Sequence, residues 1–140
     1  MGSGVSTLKH NFCPIHYYKT VLDSFSDAVC ITNDELKITF VNEKMVELFG
    51  YENRKKLVGK SAFIFMPKNI ATMHKKFISS YRLKIKKTPI CCAFSKTIMA
   101  TNGRKFVCIK KDGSEIVCRI TINQTIDKKL RKIKFFTALF

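Results

Sequence analysis

The clearest hydrophobic pattern in the chain lies between Phe63 and Tyr81, where an apolar, strand-like turn meets a proline and an amphipathic helix follows. Met66-Pro67 predicts the helix start, because proline has a fixed φ that suits the first helical turn. Side chains then recur at steps of three and four on one face, namely Ile70, Met73, His74, Phe77, Ile78 and Tyr81. The opposite face carries Lys68, Lys75, Lys76 and Ser80. The pattern predicts a half-buried histidine, for which a structural role and a role in a pocket are both open.

The first part of the chain predicts a helix followed by a β-hairpin. Apolar positions at helical spacing cover residues 15–26, and we expect this helix to pack on the sheet that follows. Residues 28–32 and 37–42 alternate like the two arms of a hairpin, with Asn33-Asp34 at the turn. The sheet is therefore expected to begin with an antiparallel pair.

Two short helical segments are predicted after the hairpin. Asn42 is a typical N-cap residue, and Gly50 is placed to end the helix between them, because glycine tolerates a left-handed C-cap. A further helical turn over residues 53–58 is closed by Gly59. These segments lead into the Phe63 to Tyr81 stretch.

Three strands are predicted in the last third of the chain. Residues 105–109 and 115–122 flank Asp112-Gly113, which supplies the positive φ of a hairpin turn, and residues 133–140 form the third strand. A long connection with a partial strand near residues 90–94 precedes them. We expect the three strands to pair as an antiparallel meander.

Composition restricts the class of protein. The chain has 140 residues, enough for one domain with a core, and no apolar run approaches the roughly 20 residues of a membrane span. Its six cysteines show neither a Cys-x-x-Cys pair nor zinc spacing, which indicates free thiols. Residues 1–11 show no secretory pattern, which predicts a reducing, cytoplasmic compartment. An enzyme is disfavoured, because no nucleophile and base pattern and no phosphate loop is present.

Charge is distributed unevenly along the chain. Residues 1–52 contain four Lys or Arg against seven Asp or Glu, whereas residues 53–140 contain 22 against three. Such a cationic region favours an anionic membrane surface or an acidic partner, with an ordinary solvated surface as the alternative. Nucleic acid is disfavoured, because no nucleic-acid-binding motif accompanies the charge. The clusters are Lys84, Lys86 and Lys87; Arg104, Lys105, Lys110 and Lys111; and Lys128, Lys129, Arg131, Lys132 and Lys134.

The N-terminal tail, residues 1–13, is separated from a single domain at residues 14–140. Its MGSGVST start fits the N-myristoylation pattern with Gly2 and Ser6, and it equally resembles a segment left by a cloning vector. If native, an acyl chain and the basic surface would together supply the two signals that membrane anchoring needs.

The order of these elements and several motifs resemble a PAS domain. The segments DAVCITND, ITFVNEKMVELFGYENRKKLVGK and KKDGSEIVCRITI are similar to successive motifs of that family, over about residues 20–140. The resemblance implies an α+β PAS fold. In this fold a five-stranded antiparallel sheet carries several short helices and one longer helix on one face, here preceded by the N-terminal helix. It also implies a non-catalytic sensory and interaction module.

Within that family, the flavin-binding LOV group is disfavoured, because its reactive-cysteine motif is replaced by GKSAFIFMP after position 58. The haem-binding, oxygen-sensing FixL group is more similar. Its ligand histidine lies eight residues after the methionine of a Met-Pro pair, as His74 lies after Met66. By this resemblance the cofactor is haem b, and His74 is the iron ligand, followed on the helix by the aromatic Phe77 and by Tyr81. The resemblance also implies an arginine that faces the bound oxygen, at Arg104. It places an apolar distal wall at Ile120 and Ile122.

Two functions therefore stay open at this stage. The first is a sensor of O2 or another diatomic gas through haem on His74. The second is a cofactor-free module that forms a homodimer or binds a signalling partner through the sheet and the N-terminal helix, with or without membrane anchoring. Whether the chain is an excised sensor or a complete small protein also stays open.

Overall fold

The computed structural model describes residues 14–87, 105–127, 129 and 132–140, and within these ranges a helix and a hairpin are followed by four helical segments and then by four strands. Two of the helical segments, η1 and η2, are 3-10 helices. The elements in chain order are α1 (Pro14–Asp23), β1 (Val29–Thr32), β2 (Ile38–Val41), α2 (Glu43–Phe49), η1 (Arg54–Lys56), η2 (Ala62–Phe65), α3 (Lys68–Lys87), β3 (Phe106–Ile109), β4 (Glu115–Cys118), β5 (Thr121–Asp127) and β6 (Lys132–Leu139).

The predicted first hairpin and its caps are confirmed. Strands β1 and β2 pair antiparallel with Cys30 opposite Val41. Asn33 forms the turn, since its side-chain oxygen accepts hydrogen bonds from the backbone N–H groups of Glu35 and Lys37 at 3.0 and 2.9 Å. Helix α2 ends at Gly50, which has φ +76° and so adopts the left-handed conformation that glycine tolerates.

Asn42 joins three segments of the chain from a fully buried position. Its Oδ1 accepts hydrogen bonds from the N–H groups of Val29 and Met45, at 2.9 and 3.0 Å, so it caps α2 as predicted. Its Nδ2 donates to the carbonyls of Leu22 and Asp27, both at 2.9 Å. The side chain thus ties the end of α1 to the start of β1 and of α2.

The sheet has the order β2-β1-β6-β5, and β3 and β4 form a separate hairpin. Gly113 supplies the positive φ of +86° at the predicted turn of that hairpin. The single strand predicted over residues 115–122 is wrong, because β4 pairs with β3 whereas β5 pairs with β6. Inward-facing positions continue through the break, with Cys118 and Ile120 both buried. The break therefore changes the pairing partner and leaves the inward face continuous, which is why the alternation of the sequence did not reveal it.

The predicted third strand of the meander is β6, which lies at the centre of the sheet. It pairs antiparallel with β5, as expected, and on its other edge with β1, so that Cys30 lies opposite Ala138. The α+β architecture predicted from the sequence is thus confirmed. Where five strands were expected, the described residues contain six, four in one sheet and two in a separate hairpin.

Two hydrophobic clusters fill the space between the helices and the sheet. The larger cluster centres on Phe49, whose ring packs on Phe65 with centroids 4.5 Å apart and on Phe140 at 5.5 Å. The smaller cluster lies beneath α3 and is built from Leu36, Phe136, Ile78, Tyr81, Ile122 and Ile126, with Ala62 and Phe63 at its edge. The region before Met66, predicted as strand-like, is the 3-10 helix η2, because the Ser61 side chain caps it by accepting from the Phe63 N–H.

Helix α1 departs from the prediction that it packs on the sheet. Several of its apolar side chains face solvent, with Tyr18 65% exposed, Val21 39% and Phe25, just beyond the helix, 42%, whereas Leu22 is half-buried. The helix is held at its C-terminal end, where Arg54 contacts Asp23 at 2.5 Å. Its apolar spacing therefore marks an exposed face.

Several predictions fall outside the described residues. These are the acylation or vector tail around Gly2, the partial strand near residues 90–94 and Arg104. Of the cysteines within the described ranges, Cys30, Cys108 and Cys118 are free and buried, as expected of thiols packed as small hydrophobes. In those same ranges no helix combines the length and the apolar character that a membrane crossing requires.

Candidate functional site

The inward face of α3 is rotated from the predicted stripe. Its half-buried positions are Ile70, Ala71, His74, Ile78, Tyr81 and Arg82, whereas Met73 and Phe77 are 65% and 56% exposed. The lysines predicted on the opposite face are exposed there. Because 3.6 residues complete a turn, His74 lies near the centre of this inward arc, between Tyr81 and Ile78 around the helix.

His74 is oriented by its own helix. Its Nδ1 lies 3.1 Å from the carbonyl oxygen of Ile70, one turn earlier. In the tautomer that carries the proton on Nδ1, this nitrogen donates the hydrogen bond and Nε2 keeps its lone pair. The His74 ring also lies 6.5 Å from the Phe77 ring, measured between centroids. The imidazole is therefore placed to offer Nε2 as an acceptor or as a metal ligand.

The C-terminal half of α3 is packed against the sheet. The Tyr81 hydroxyl donates a hydrogen bond to Oε1 of Gln124, whose side chain is buried on β5. Burial raises the pKa of Tyr81, with the hydrogen bond to Gln124 acting in the opposite direction. The Phe77 ring stacks on Tyr81 at 6.2 Å, and Arg82 pairs with Asp34 at 2.9 Å. This end of the helix is fixed by packing and polar contacts.

The N-terminal end of α3 borders an open groove of about 640 Å³. One wall comes from η2 and the first turn of α3, and the other from the β3–β4 hairpin. Apolar residues of the groove are Phe63, Ile64, Met66, Pro67, Ala71 and Ile109, and polar ones are Tyr51, Lys68, Lys110 and Lys111. Sequence reasoning missed this groove, because its walls come from segments about 40 residues apart and only the lysines beside Asp112-Gly113 hinted at it.

The six predicted site residues are brought together only in part. Tyr81 and Ile122 belong to the cluster beneath α3, and Ile122 also borders the larger cluster in which Ile120 is buried. Phe77 lies largely in solvent, and Arg104 lies outside the described residues. His74 occupies the turn of α3 between the open groove and the packed end.

A bare metal ion has no site in the part of the chain that the structure describes, since no group of three His, Cys, Asp or Glu side chains could hold one there. A single imidazole suits a prosthetic group that brings its own ligands to the metal. The donor chemistry of His74 is thus of a kind that fits haem, because the contact of Nδ1 with the Ile70 carbonyl leaves Nε2 to face a ligand.

Solved structures share this architecture at low sequence identity. The PAS domain of an HTR-like protein from Haloarcula marismortui has a TM-score of 0.62 at 12% identity, with 99% of this chain and 97% of that chain covered. The PAS domain of the fruit-fly ELK potassium channel gives 0.58 at 17%, with 91% and 95% covered. The ethanol complex of a PAS domain from a LuxR-family transcriptional regulator of Burkholderia thailandensis gives 0.56 at 15%, with 88% and 95% covered.

A comparison with curated proteins gives no match. The family model for the PAS fold, in contrast, matches residues 16–138, nearly the whole described chain. This match agrees with the sheet order, the capped helix α2 and the long helix α3 described above. The chain belongs to the PAS family of sensory and signalling domains.

Proposed function

We propose that this PAS domain senses a small ligand on the inward face of α3, and that the ligand is haem b held by His74. The observation that carries the proposal is the placement of His74 at the centre of that face with Nδ1 on the Ile70 carbonyl. This contact leaves the lone pair of Nε2 to bind a metal, an arrangement common among metal-bound histidines. When bound, haem iron supplies a position for O2 or another diatomic gas.

The surroundings of His74 define the role of each neighbouring residue in this proposal. Tyr81 and Gln124 anchor the helix one to two turns beyond the ligand. Ile120 and Ile122 are the apolar residues that would exclude water, and Arg104 is the cation expected opposite them by resemblance. Phe77 stacks on Tyr81 and would cover the solvent side of the bound ligand.

Helix α3 is also suited to transmit a signal. Its packed face rests on Phe136 of β6, the strand that pairs with both β1 and β5. A small shift of α3 would therefore act on the central strand of the sheet first. Shifts of packed elements between two arrangements are a common form of switching.

An absorption spectrum tests the haem proposal directly. Protein reconstituted with haem should show a Soret band that is lost or strongly shifted in His74→Ala. The control is His16→Ala, on helix α1, which should leave the band unchanged. A colourless reconstituted protein, or an identical band in both variants, would reject His74 as the ligand.

A second candidate function, homodimerisation, is favoured by one observation on α1. Tyr17 and Tyr18 on α1 are 58% and 65% exposed, and the same exposed stripe includes Val21 and, just beyond the helix, Phe25. Exposed apolar stripes of this kind mark interaction surfaces. Residues 1–52 carry slightly more acidic than basic groups, so two copies can approach here without the repulsion of the cationic remainder. We infer that a second copy of the chain covers this stripe.

Light scattering after gel filtration tests the dimer. The double variant Tyr18→Ser/Val21→Ser should convert a dimer to a monomer while the circular dichroism spectrum is unchanged. Lys19→Gln, on the same helix, is the matched control and should remain dimeric. A monomeric parent protein, or a double variant that stays dimeric, would contradict this interface.

A further inference from the structure

We propose that the groove at the N-terminal end of α3 binds a long-chain carboxylate, with the alkyl chain on its apolar wall and the carboxylate at its lysine rim. The lysine rim is defined as Lys68, Lys110 and Lys111. The inference does not depend on haem, because His74 does not line the groove. It assigns a ligand class to a site that the sequence did not predict.

The apolar wall is the first argument. Phe63, Ile64, Met66 and Ile109 are each only half-buried, although they lie side by side in the groove. The groove volume of about 640 Å³ lies within the range of about 300–1,000 Å³ that is typical of ligand-binding pockets. An alkyl chain laid along this wall would remove apolar surface from water, at roughly 0.8 kcal/mol for each buried methylene.

The charge at the rim is the second argument. Lys75 stands over the ring of Phe63 at 5.5 Å, which adds a fourth cation beside the rim. The carboxylates of Glu52 and Asp112 lie near the rim, and both already accept hydrogen bonds. Glu52 accepts from Lys111 Nζ at 2.8 Å, and Asp112 accepts from the backbone and side chain of Ser114 at 2.9 and 2.5 Å. Ammonium groups thus outnumber carboxylates around the groove, and an anionic head group complements them.

Tyr51 supplies a neutral donor at the same site. Its side chain is half-buried on the groove wall, and burial raises the pKa of its phenol while Lys111 acts against that shift. The hydroxyl therefore stays protonated at neutral pH and can donate a hydrogen bond to a carboxylate. A neutral amphiphile would use the apolar wall and offer no negative charge to the ammonium groups of the lysine rim.

Calorimetric titration of the 140-residue chain with laurate, dodecanol and acetate separates these contributions. Laurate, below its micellar concentration, should bind at least about tenfold more tightly than dodecanol, which has the same chain without the charge. Acetate, the head group alone, should not bind measurably. Equal affinities for laurate and dodecanol would overturn the proposal, and so would the absence of laurate binding.

Two double variants with the same net charge provide the control. Lys68→Gln/Lys110→Gln should weaken laurate binding about tenfold or more, because both rim charges are lost. Lys55→Gln/Lys76→Gln removes two exposed lysines outside the groove and should leave binding unchanged. Equal weakening in both would mean non-specific attraction to a cationic protein and would reject the site. A missing Soret band, in contrast, would reject only the haem on His74.

Discussion

At the scale of single residues, Asn42 is fully buried and forms hydrogen bonds with every polar group of its side chain. Its amide uses both oxygen lone pairs and both N–H groups inside the core, on Val29, Met45, Leu22 and Asp27. The sequence predicted only one of these four contacts, the cap of α2. The other three depend on segments that lie 13 to 20 residues away.

Asn42→Ala should lower the free energy of unfolding by about 3 kcal/mol, since it leaves buried backbone groups without partners and removes a helix cap. Urea denaturation measured by circular dichroism checks this value. Asn53→Ala is the matched control, because Asn53 precedes η1 without a side-chain capping bond and is exposed. Its unfolding free energy should change by less than about 0.5 kcal/mol. Similar losses in both variants would contradict the role given to Asn42.

At the scale of elements, helix α1 is attached to the domain through a small ion-pair cluster. Arg54 of η1 contacts Asp23 at 2.5 Å and Glu43 at 2.9 Å, and its guanidinium lies 5.6 Å from the centroid of the Phe40 ring. The carboxylate of Asp23 also accepts from the Glu43 N–H at 3.2 Å. These contacts connect α1, β2, α2 and η1, so the orientation of α1 depends in part on the Arg54 side chain, besides the Asn42 hydrogen bond to the Leu22 carbonyl.

Arg54→Gln should loosen α1 by about 1 kcal/mol, because partly buried charge-assisted hydrogen bonds are lost. Hydrogen exchange should then be about fivefold faster at the amides of α1 and unchanged in β1 and β6. Lys55→Gln, the neighbouring exposed position, serves as the control. Faster exchange across the whole domain would indicate global destabilisation and would contradict a role of Arg54 that is limited to holding α1.

At the scale of the whole molecule, rising pH has two opposing effects. Loss of lysine charge reduces the self-repulsion of a protein with net charge +16 and favours the folded state. Buried thiols act the other way. Burial raises the pKa of Cys30 from its ordinary 9.0 to about 12, so the thiol ionises more readily in the unfolded chain.

The Cys30 contribution to stability is fully present below pH 9 and should be lost as the pH rises toward 12. Its slope is at most about 1.4 kcal/mol for each pH unit. Cys30→Ala should be less stable than the parent at pH 7, since it leaves a small cavity, but should decline less steeply above pH 9. Urea midpoints at intervals from pH 7 to pH 10.5 measure both curves. Because the lysines are common to both proteins, parallel curves would contradict this assignment.

The sequence by itself determined the local structure and the family of this protein. Caps and turns at Asn42, Gly50 and Asp112-Gly113 act through neighbouring backbone groups, so residue type and spacing were enough to predict them. The start of α3 after Met66-Pro67 followed from the same local rules. The order of these elements indicated the PAS fold, which the family match confirms.

Tertiary structure alone decided which faces are covered. The apolar spacing of α1 was interpreted as a buried face, yet Tyr18 on this helix is 65% exposed. The stripe of α3 was rotated toward Ala71 and away from Phe77, since the nearby sheet sets which side is inward. The partner change between β4 and β5, and the lysine-rimmed groove, likewise depend on segments far apart in sequence. Periodicity defines a face, and only packing against distant segments decides what that face meets.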